Sequence, residues 1–478
     1  MAFRINAVFP TFPIYRRALG AVLCLVAALS TMISLTWLDH AQAAVATPAT
    51  LAANQGINPD PVELRLPPDR PLSAVANLGR RMFFDPALSA SGQQSCASCH
   101  SPALGYNPPN GQTLQPGGAH MGQLGFRPPL SLAYLYRQQP FSIGPDAGEV
   151  EAPVNLNALA STAGTTARAQ KSAGNLPANV PIVPMGGLFW DGRADSFQRQ
   201  ALVPMLNPVE MANSSIAQVA AKLASSPYRE QFRQLFGQHI LEQPDQLVAE
   251  AMFALSRFQT EDASFHRFTS KYDAWLQGKA RLSTAEMRGL SLFNDPQKGN
   301  CAACHLSKVT PDRLPPLFTD TQYEALGVPR NAALPMNQDP HFHDLGLCGP
   351  FRKDMTTQTQ YCGMFITPTL RNVDRRQVFF HNGVYHTLRQ VLDFYNLRAV
   401  APEKIYPRGG DGKPMEYDDL PVAYQVNVDI NDAPFDRHVG DRPALNDQEI
   451  EDIIAFLHAL DDGYTAWDGK GGSGVAQR

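Results

Sequence analysis

Cys96-Ala97-Ser98-Cys99-His100 and Cys301-Ala302-Ala303-Cys304-His305 decide the reading of this chain. Each places two thiols three positions apart with a histidine directly behind them. That spacing lets the thiols add across the two vinyl groups of a haem while the imidazole reaches the iron. From the chain's own Cys and His frequencies, chance supplies on the order of 0.003 such motifs. A zinc site would need two more ligands at matching spacing, and a thioredoxin-type pair would need a strand and helix around it and no trailing histidine. Two covalently bound haem c groups are therefore expected, on Cys96, Cys99 and His100 and on Cys301, Cys304 and His305.

The residues before each motif repeat. Gly79-Arg80-Arg81-Met82-Phe83-Phe84-Asp85-Pro86 leads into the first, and Gly289-Leu290-Ser291-Leu292-Phe293-Asn294-Asp295-Pro296 into the second. Each half reads as a helix, a proline turn and a Cys-x-x-Cys-His. Ser283 with Glu286 forms a capping box that starts the second half near residue 280. Further helices follow from apolar spacing: Leu247, Ala251, Ala254, Leu255 and Phe258, then Ile450, Ile453, Ile454, Leu457 and Leu460 behind Asn446 and Glu449. Alternating strand patterns are scarce. With 40 Pro and 35 Gly the remainder is long loop, and residues 139–181 and 401–445 read as insertions on which no secondary structure is placed. The expected fold is all-α, two cytochrome c-type haem domains with long loops: an N-terminal domain over 44–278, a C-terminal domain over 279–465 and a flexible tail over 466–478.

Composition narrows the function. The chain is 478 residues long, 44% hydrophobic and 18% charged, with net charge −4. The basic excess that phosphate neutralisation demands is missing, which argues against nucleic acid. Only the uncharged stretch from Ala18 to Leu38 is long enough to span a bilayer. It follows Arg16 and Arg17 and precedes Ala41-Gln42-Ala43, so residues 1–43 read as a secretory signal peptide that is removed, leaving a periplasmic protein with no stable membrane insertion. Its loss takes Arg4, Arg16, Arg17 and Asp39 and moves the net charge from −4 to −6. A soluble redox partner would then present a basic face. Cys348 and Cys362 remain in the exported part, as a disulfide or as two separate buried thiols.

Leu188-Phe189-Trp190-Asp191-Gly192-Arg193, continuing through Gln200 and Pro204 to Asn207-Pro208-Val209-Glu210-Met211, gives the reading its chemistry. Together with both haem motifs and with Thr367-Pro368-Thr369-Leu370-Arg371-Asn372 through His381 to Tyr395, it resembles the bacterial di-haem cytochrome c peroxidases and their MauG-type relatives. The resemblance covers nearly all of residues 60–465 outside the two insertions. It implies that Trp190 relays electrons between the haems, where a core Trp before an Asp-Gly turn is the plain alternative. It implies that Gln200 and Glu210 lie above the His100 haem, with Glu210 as acid-base group and Gln200 orienting peroxide. Tyr395 matches the second axial ligand of the His305 haem, at a position where many relatives have Met. Leu388, Val391, Leu392 and Tyr395 share one helical stripe, so Tyr395 also reads as core. His381 matches a residue near the haems, and His120 sits near a loop histidine that caps the peroxidatic iron in some relatives.

One departure concerns calcium. The family site uses an Asn and carbonyl groups where this chain has Arg127-Pro128-Pro129 and Arg376-Gln377-Val378. Calcium is therefore in doubt, and Arg127 could supply the charge instead. The implied activity is reduction of hydrogen peroxide with electrons from a small cytochrome c or cupredoxin. The alternatives are a MauG-like enzyme that oxidises residues of a partner protein, for which Tyr395 speaks, and a non-enzymatic di-haem electron carrier.

Overall fold

Ser73 opens helix α1 (Ala74–Phe83) by accepting from the Ala76 N–H, and its own N–H and hydroxyl are held by Glu261 at the far end of a later helix. The structure, a computed structural model, describes residues 55–145 and 182–465. The expected signal peptide, most of the 139–181 insertion and the 466–478 tail lie outside the described residues. After α1 come α2 (Phe197–Leu206), α3 (Ile216–Ser225), α4 (Arg229–Phe236), α5 (Pro244–Glu261), α6 (Lys271–Leu276), α7 (Thr284–Asn294), α8 (Leu388–Leu397) and α9 (Asp447–His458). The paired segments among the described residues are ribbons of two to four residues: β1 (Pro116–Gly117) with β2 (Gln123–Leu124), β3 (Ser142–Pro145) with β4 (Ile182–Met185), and β5 (Tyr323–Glu324) with β6 (Phe365–Ile366). Helices and long loops thus make up the fold, as the scarcity of alternating patterns predicts.

The periodicities fall where expected. Leu247, Ala251, Ala254, Leu255 and Phe258 on α5 are all buried, and the Ser283–Glu286 and Asn446–Glu449 capping boxes are both present. The repeat has a packing cause. α1 lies on α5 and α7 on α9, and the glycine that opens each repeat sits at the crossing. A Cβ on Gly79 would lie 1.9 Å from Ala254 O, and one on Gly289 would lie 1.9 Å from Asp452 O. Only hydrogen fits there, so each motif-bearing segment hangs from one close helix pair. Phe83, Tyr106, Phe258 and Phe265 pack edge to edge or stacked around the first pair. Tyr272, Phe293, Phe318 and Phe456 do the same around the second.

The Thr367–Asn372 stretch is pinned by distant partners. Thr369 donates to Leu317 O, Asn372 to Asp462, and Arg371, wholly buried, makes two hydrogen bonds to Asp273. Cys348 and Cys362 form a disulfide. Residues 401–445 are more ordered than their composition suggests, with short 3-10 turns at Pro402–Lys404 and Val422–Asn427 and with Leu420, Val428 and Phe435 buried. Their order comes from distant partners: Asp429 N donates to Ala325 O, Asn300 Nδ2 to Ala433 O, and the Arg398 guanidinium to Leu326 O and Asp429 O. No local period announces bonds of that kind.

Gly289→Ala separates two effects of opposite sign. Helix propensity alone would stabilise it by about 1 kcal/mol, whereas overpacking at the α7–α9 crossing costs about 1–3 kcal/mol. We expect a net loss, read as a lower guanidinium midpoint at unchanged slope; a raised midpoint would show that the helices do not meet at Gly289.

Candidate functional site

Both motifs open onto one cavity of about 430 Å³, lined by Cys96, Cys99 and His100 at one end and by Cys301, Cys304 and His305 at the other. A single helical turn, Cys96–Cys99, carries the first motif, and a 3-10 turn, Cys301–Ala303, begins the second. His100 Nδ1 lies 3.4 Å from Tyr106 O and His305 Nδ1 lies 2.9 Å from Phe318 O. Burial pushes both imidazoles down to about 4, so each is neutral. A neutral ring that donates from Nδ1 keeps its lone pair on Nε2, the arrangement an iron ligand needs. Burial also raises the Cys96 and Cys301 thiols to about 12 and the Cys99 thiol to about 11, and lifts that of Cys304 further. None of the four sulfurs is in a disulfide. Among the described residues no group of three or more His, Cys, Asp or Glu could hold a metal ion. This donor set fits covalently attached haem and does not fit thiolate-bound zinc.

Gln200 and Glu210 line the cavity with the first motif. Ser196 caps α2 and so presents Gln200, which is 8% exposed, one turn further on. Glu210 lies in the turn after α2, its N–H donating to Asn207 O and its carbonyl accepting from Gly118 N and Gln94 Nε2. Burial raises the Glu210 carboxyl, against the pull of Arg193 and Asn207, and its charge helps raise the Cys99 thiol. Its Oε2 is buried without a hydrogen-bond partner among the described residues. A buried carboxyl raised above the ordinary carboxylate range, with a free oxygen, is suited to taking up and returning a proton. His120 is exposed between β1 and β2 and does not line the cavity.

Trp190 lines the same cavity, 6% exposed, with Nε1 donating to Pro128 O. Beside it Arg127 makes two hydrogen bonds to Asp344, through Nε and one terminal nitrogen at 2.7 Å each, and a third to Asp191 at 2.8 Å. Arg193 pairs with the other side of Asp191. Burial would raise the Asp344 carboxyl, but Arg127 holds it below the ordinary carboxylate range. Arg376 has its guanidinium 5.7 Å from the Trp190 ring and donates to Val378 O and Pro129 O. The carboxylates and carbonyls around the expected calcium position are thus taken by two guanidinium groups, and these residues do not fit calcium. Sequence alone suggested Arg127; Asp344 lies 217 positions away and gave no local sign. Burial lowers Arg376 to about 10, still charged, and its second terminal nitrogen is unpartnered among the described residues while the residue lines the cavity. Such a donor suits an anionic edge, for example a haem propionate.

At the other end α8 presents Leu388, Val391, Leu392 and Tyr395 to the cavity. The stripe is core and site wall at once, so both readings of Tyr395 meet on one surface. Phe380, Phe394 and Phe435 surround its ring, and burial, then the neighbouring Cys304 and Cys301, push its phenol up. His381 stacks on Phe365 at 3.5 Å and shares a 3.2 Å hydrogen bond with Asp419. Asp419 belongs to the 401–445 segment, which the sequence marks only as an insertion.

The family model described as "Di-haem cytochrome c peroxidase" matches residues 73–281. The methylamine utilization protein MauG of Paracoccus denitrificans is 33% identical over 80% of this chain and 90% of its own. Cytochrome c551 peroxidase of Nitrosomonas europaea is 29% identical over 73% of this chain and 79% of its own. Among solved structures, the diheme peroxidase BthA of Burkholderia thailandensis aligns with TM-score 0.69 at 34% identity, covering 84% of this chain and 89% of the other.

Arg127→Met leaves Asp344 and Asp191 buried with one counter-charge fewer. We expect a loss of about 3–5 kcal/mol at neutral pH. Because the folded Asp344 carboxyl titrates below its unfolded value, that stabilisation is present above the ordinary carboxylate range and disappears as pH falls through the folded value. The gap between native and variant urea midpoints should therefore narrow in acid; a gap that does not change with pH would remove the charge pairing from the account. Metal analysis of the native protein should find iron and no stoichiometric calcium.

Proposed function

The chain belongs to the family of di-haem cytochrome c peroxidases and MauG proteins, and from that premise we propose that it is a periplasmic peroxidase. It would reduce hydrogen peroxide to water with electrons from a small cytochrome c or cupredoxin. Among the described residues no helix is long and apolar enough to cross a membrane. The reaction consumes two electrons and two protons per peroxide and yields two waters. Haem groups attached at Cys96/Cys99 and Cys301/Cys304, with His100 and His305 as ligands, would supply the O–O cleavage chemistry and the electron storage. The protein's own part is proton handling and placement. Glu210 takes the proton from the near oxygen of the peroxide through Oε2 and delivers it to the far oxygen as the bond breaks. Gln200 holds the peroxide by amide hydrogen bonds, and Trp190 carries electrons from the His305 end of the cavity. The observation that carries the proposal is the buried, unpartnered Oε2 of Glu210 in a cavity shared with His100.

A second reading rests on Tyr395, which lines the cavity beside the second motif, and on the 33% identity to MauG. An oxygen ligand there lowers a haem's potential and favours its higher oxidation states. In that reading peroxide charges the site with oxidising equivalents that are spent on residues of a partner protein. A bare electron carrier would need no carboxyl of raised pKa beside an attachment motif.

Glu210→Gln should cut the second-order rate of the haem-loaded protein with peroxide by about 100-fold or more. The same variant should gain stability relative to the native protein as pH rises above the ordinary carboxylate range. A carboxyl whose folded pKa is raised favours folding below its unfolded value and loses that contribution as pH rises through the folded one, whereas the amide carries no such cost. A rate within twofold of native would remove Glu210 from the chemistry. Tyr395→Phe should shift the optical and EPR spectra of one haem only; unchanged spectra would make Tyr395 a core residue.

A further inference from the structure

Tyr106 is 1% exposed, in a cluster whose other rings belong to Phe83, Phe258 and Phe265. Phe265 stacks on it at 3.8 Å, and Phe83, which lines the cavity, meets it edge-on at 5.9 Å. Its backbone carbonyl is the one that faces His100 Nδ1 at 3.4 Å. A short run of bonds with one hydrogen bond in it therefore joins the Tyr106 ring to the imidazole that would hold the first iron. Packing accounts for the ring and not for the hydroxyl, which lies 2.5 Å from Ser264 Oγ; Ser264 in turn donates to Asp262 Oδ1 at 2.5 Å. Ser264 has one hydroxyl proton and gives it to the carboxylate, so the phenol is the donor in the first bond. A buried hydroxyl needs only one partner, whereas this one stands at the head of a two-step proton route. The route ends at Asp262, which is half-buried and within reach of water. Tyr134 shows the contrast. It lines the cavity but donates to Asp462, which is 7% exposed and already holds Thr269 and Asn372, so a proton released there stays buried.

We propose that Tyr106 is a redox-active tyrosine, which protects the His100 end when peroxide arrives and donor electrons do not. The inference rests on the peroxidase reading, in which peroxide oxidises the haem attached at Cys96 and Cys99. One electron leaves the phenol for that oxidised haem. The Tyr106 O–H bond breaks, its proton passes to Ser264 Oγ as the Ser264 proton passes to Asp262 Oδ1, and a neutral phenoxyl radical remains. The haem is reduced by one electron and the tyrosine is oxidised by one. When the donor protein next supplies an electron, the proton returns from Asp262 through the same bonds and the phenol is restored. Proton and electron have to leave together, because a phenol radical cation in an apolar cluster would be an unpaired buried charge. The benzene rings around it are far harder to oxidise than a phenol, so the oxidising equivalent stops at Tyr106.

The test mixes haem-loaded protein, with no donor present, with hydrogen peroxide and separately with an organic peracid, whose O–O bond breaks with less help from an acid-base side chain. Samples are frozen within milliseconds and read by EPR, with ordinary and with ring-deuterated tyrosine in the protein. We expect an organic radical signal whose hyperfine splitting collapses on deuteration. Tyr106→Phe, which keeps the ring and the backbone, should lose that signal, show an unchanged resting haem spectrum and bleach sooner under excess peroxide. Ser264→Ala keeps the phenol but takes away its proton acceptor and should lower the signal, while Tyr134→Phe should leave it as in the native protein. A tyrosyl signal that survives Tyr106→Phe would overturn the proposal, as would a native signal that deuteration does not narrow or an undiminished signal in Ser264→Ala. If the peracid produces the Tyr106 signal and peroxide leaves the haem spectrum untouched, the peroxidase reading fails and the redox-active tyrosine stands. If both oxidants change the haem spectrum and no tyrosyl radical forms, the peroxidase reading stands and the proposal is overturned.

Discussion

Two imidazoles, each facing a backbone carbonyl through Nδ1 inside one cavity, are what the rest of this structure serves. His100 and His305 act as ligands only if Nε2 is free and fixed, and Tyr106 O and Phe318 O fix it. Those carbonyls are held in turn by the aromatic clusters around the α1–α5 and α7–α9 crossings. The crossings are close because Gly79 and Gly289 leave only a hydrogen where another residue would place a methyl group against a backbone oxygen. The repeat visible in the sequence is therefore one packing solution used twice, and each copy ends by aiming a histidine.

Between the two ends, carboxyl groups of the same kind are driven to opposite states by their surroundings. Asp344 is buried but faces the Arg127 guanidinium, and it stays ionised. Glu210 is buried with only the weaker pull of Arg193 and Asn207, and it is pushed toward the neutral acid. The first holds Arg127, which bridges to Asp191 beside Trp190; the second, in the function proposed above, would exchange a proton. Burial is common to both, so what separates the ionised carboxylate from the one raised toward the acid is the strength of its pairing with a cation.

The parts written in local spacing could be read before any coordinates: the attachment motifs, the capping boxes, the α5 and α9 stripes, and the arginines standing at the expected calcium position. What could not be read are contacts between residues far apart in sequence. Arg127 finds Asp344, Arg371 finds Asp273, and His381 finds Asp419 in a segment that composition alone marked as an insertion. Residues 401–445 lack period because their order is tertiary, supplied by Asn300, Arg398 and the backbone near Ala325. The stripe on α8 shows the limit plainly, since the same periodicity describes a core helix and a cavity wall, and Tyr395 is part of both.

Peroxide chemistry at the His100 end, fed from the His305 end, is tested most directly by steady-state oxidation of a reduced small cytochrome c by hydrogen peroxide. The measurement is made on haem-loaded protein, once fully oxidised and once reduced beforehand by a single electron. Sustained turnover, with two cytochromes oxidised per peroxide in at least one of the two forms, is the predicted result. If neither form turns over and peroxide leaves the haem spectrum unchanged, the chain is an electron carrier and the account is contradicted.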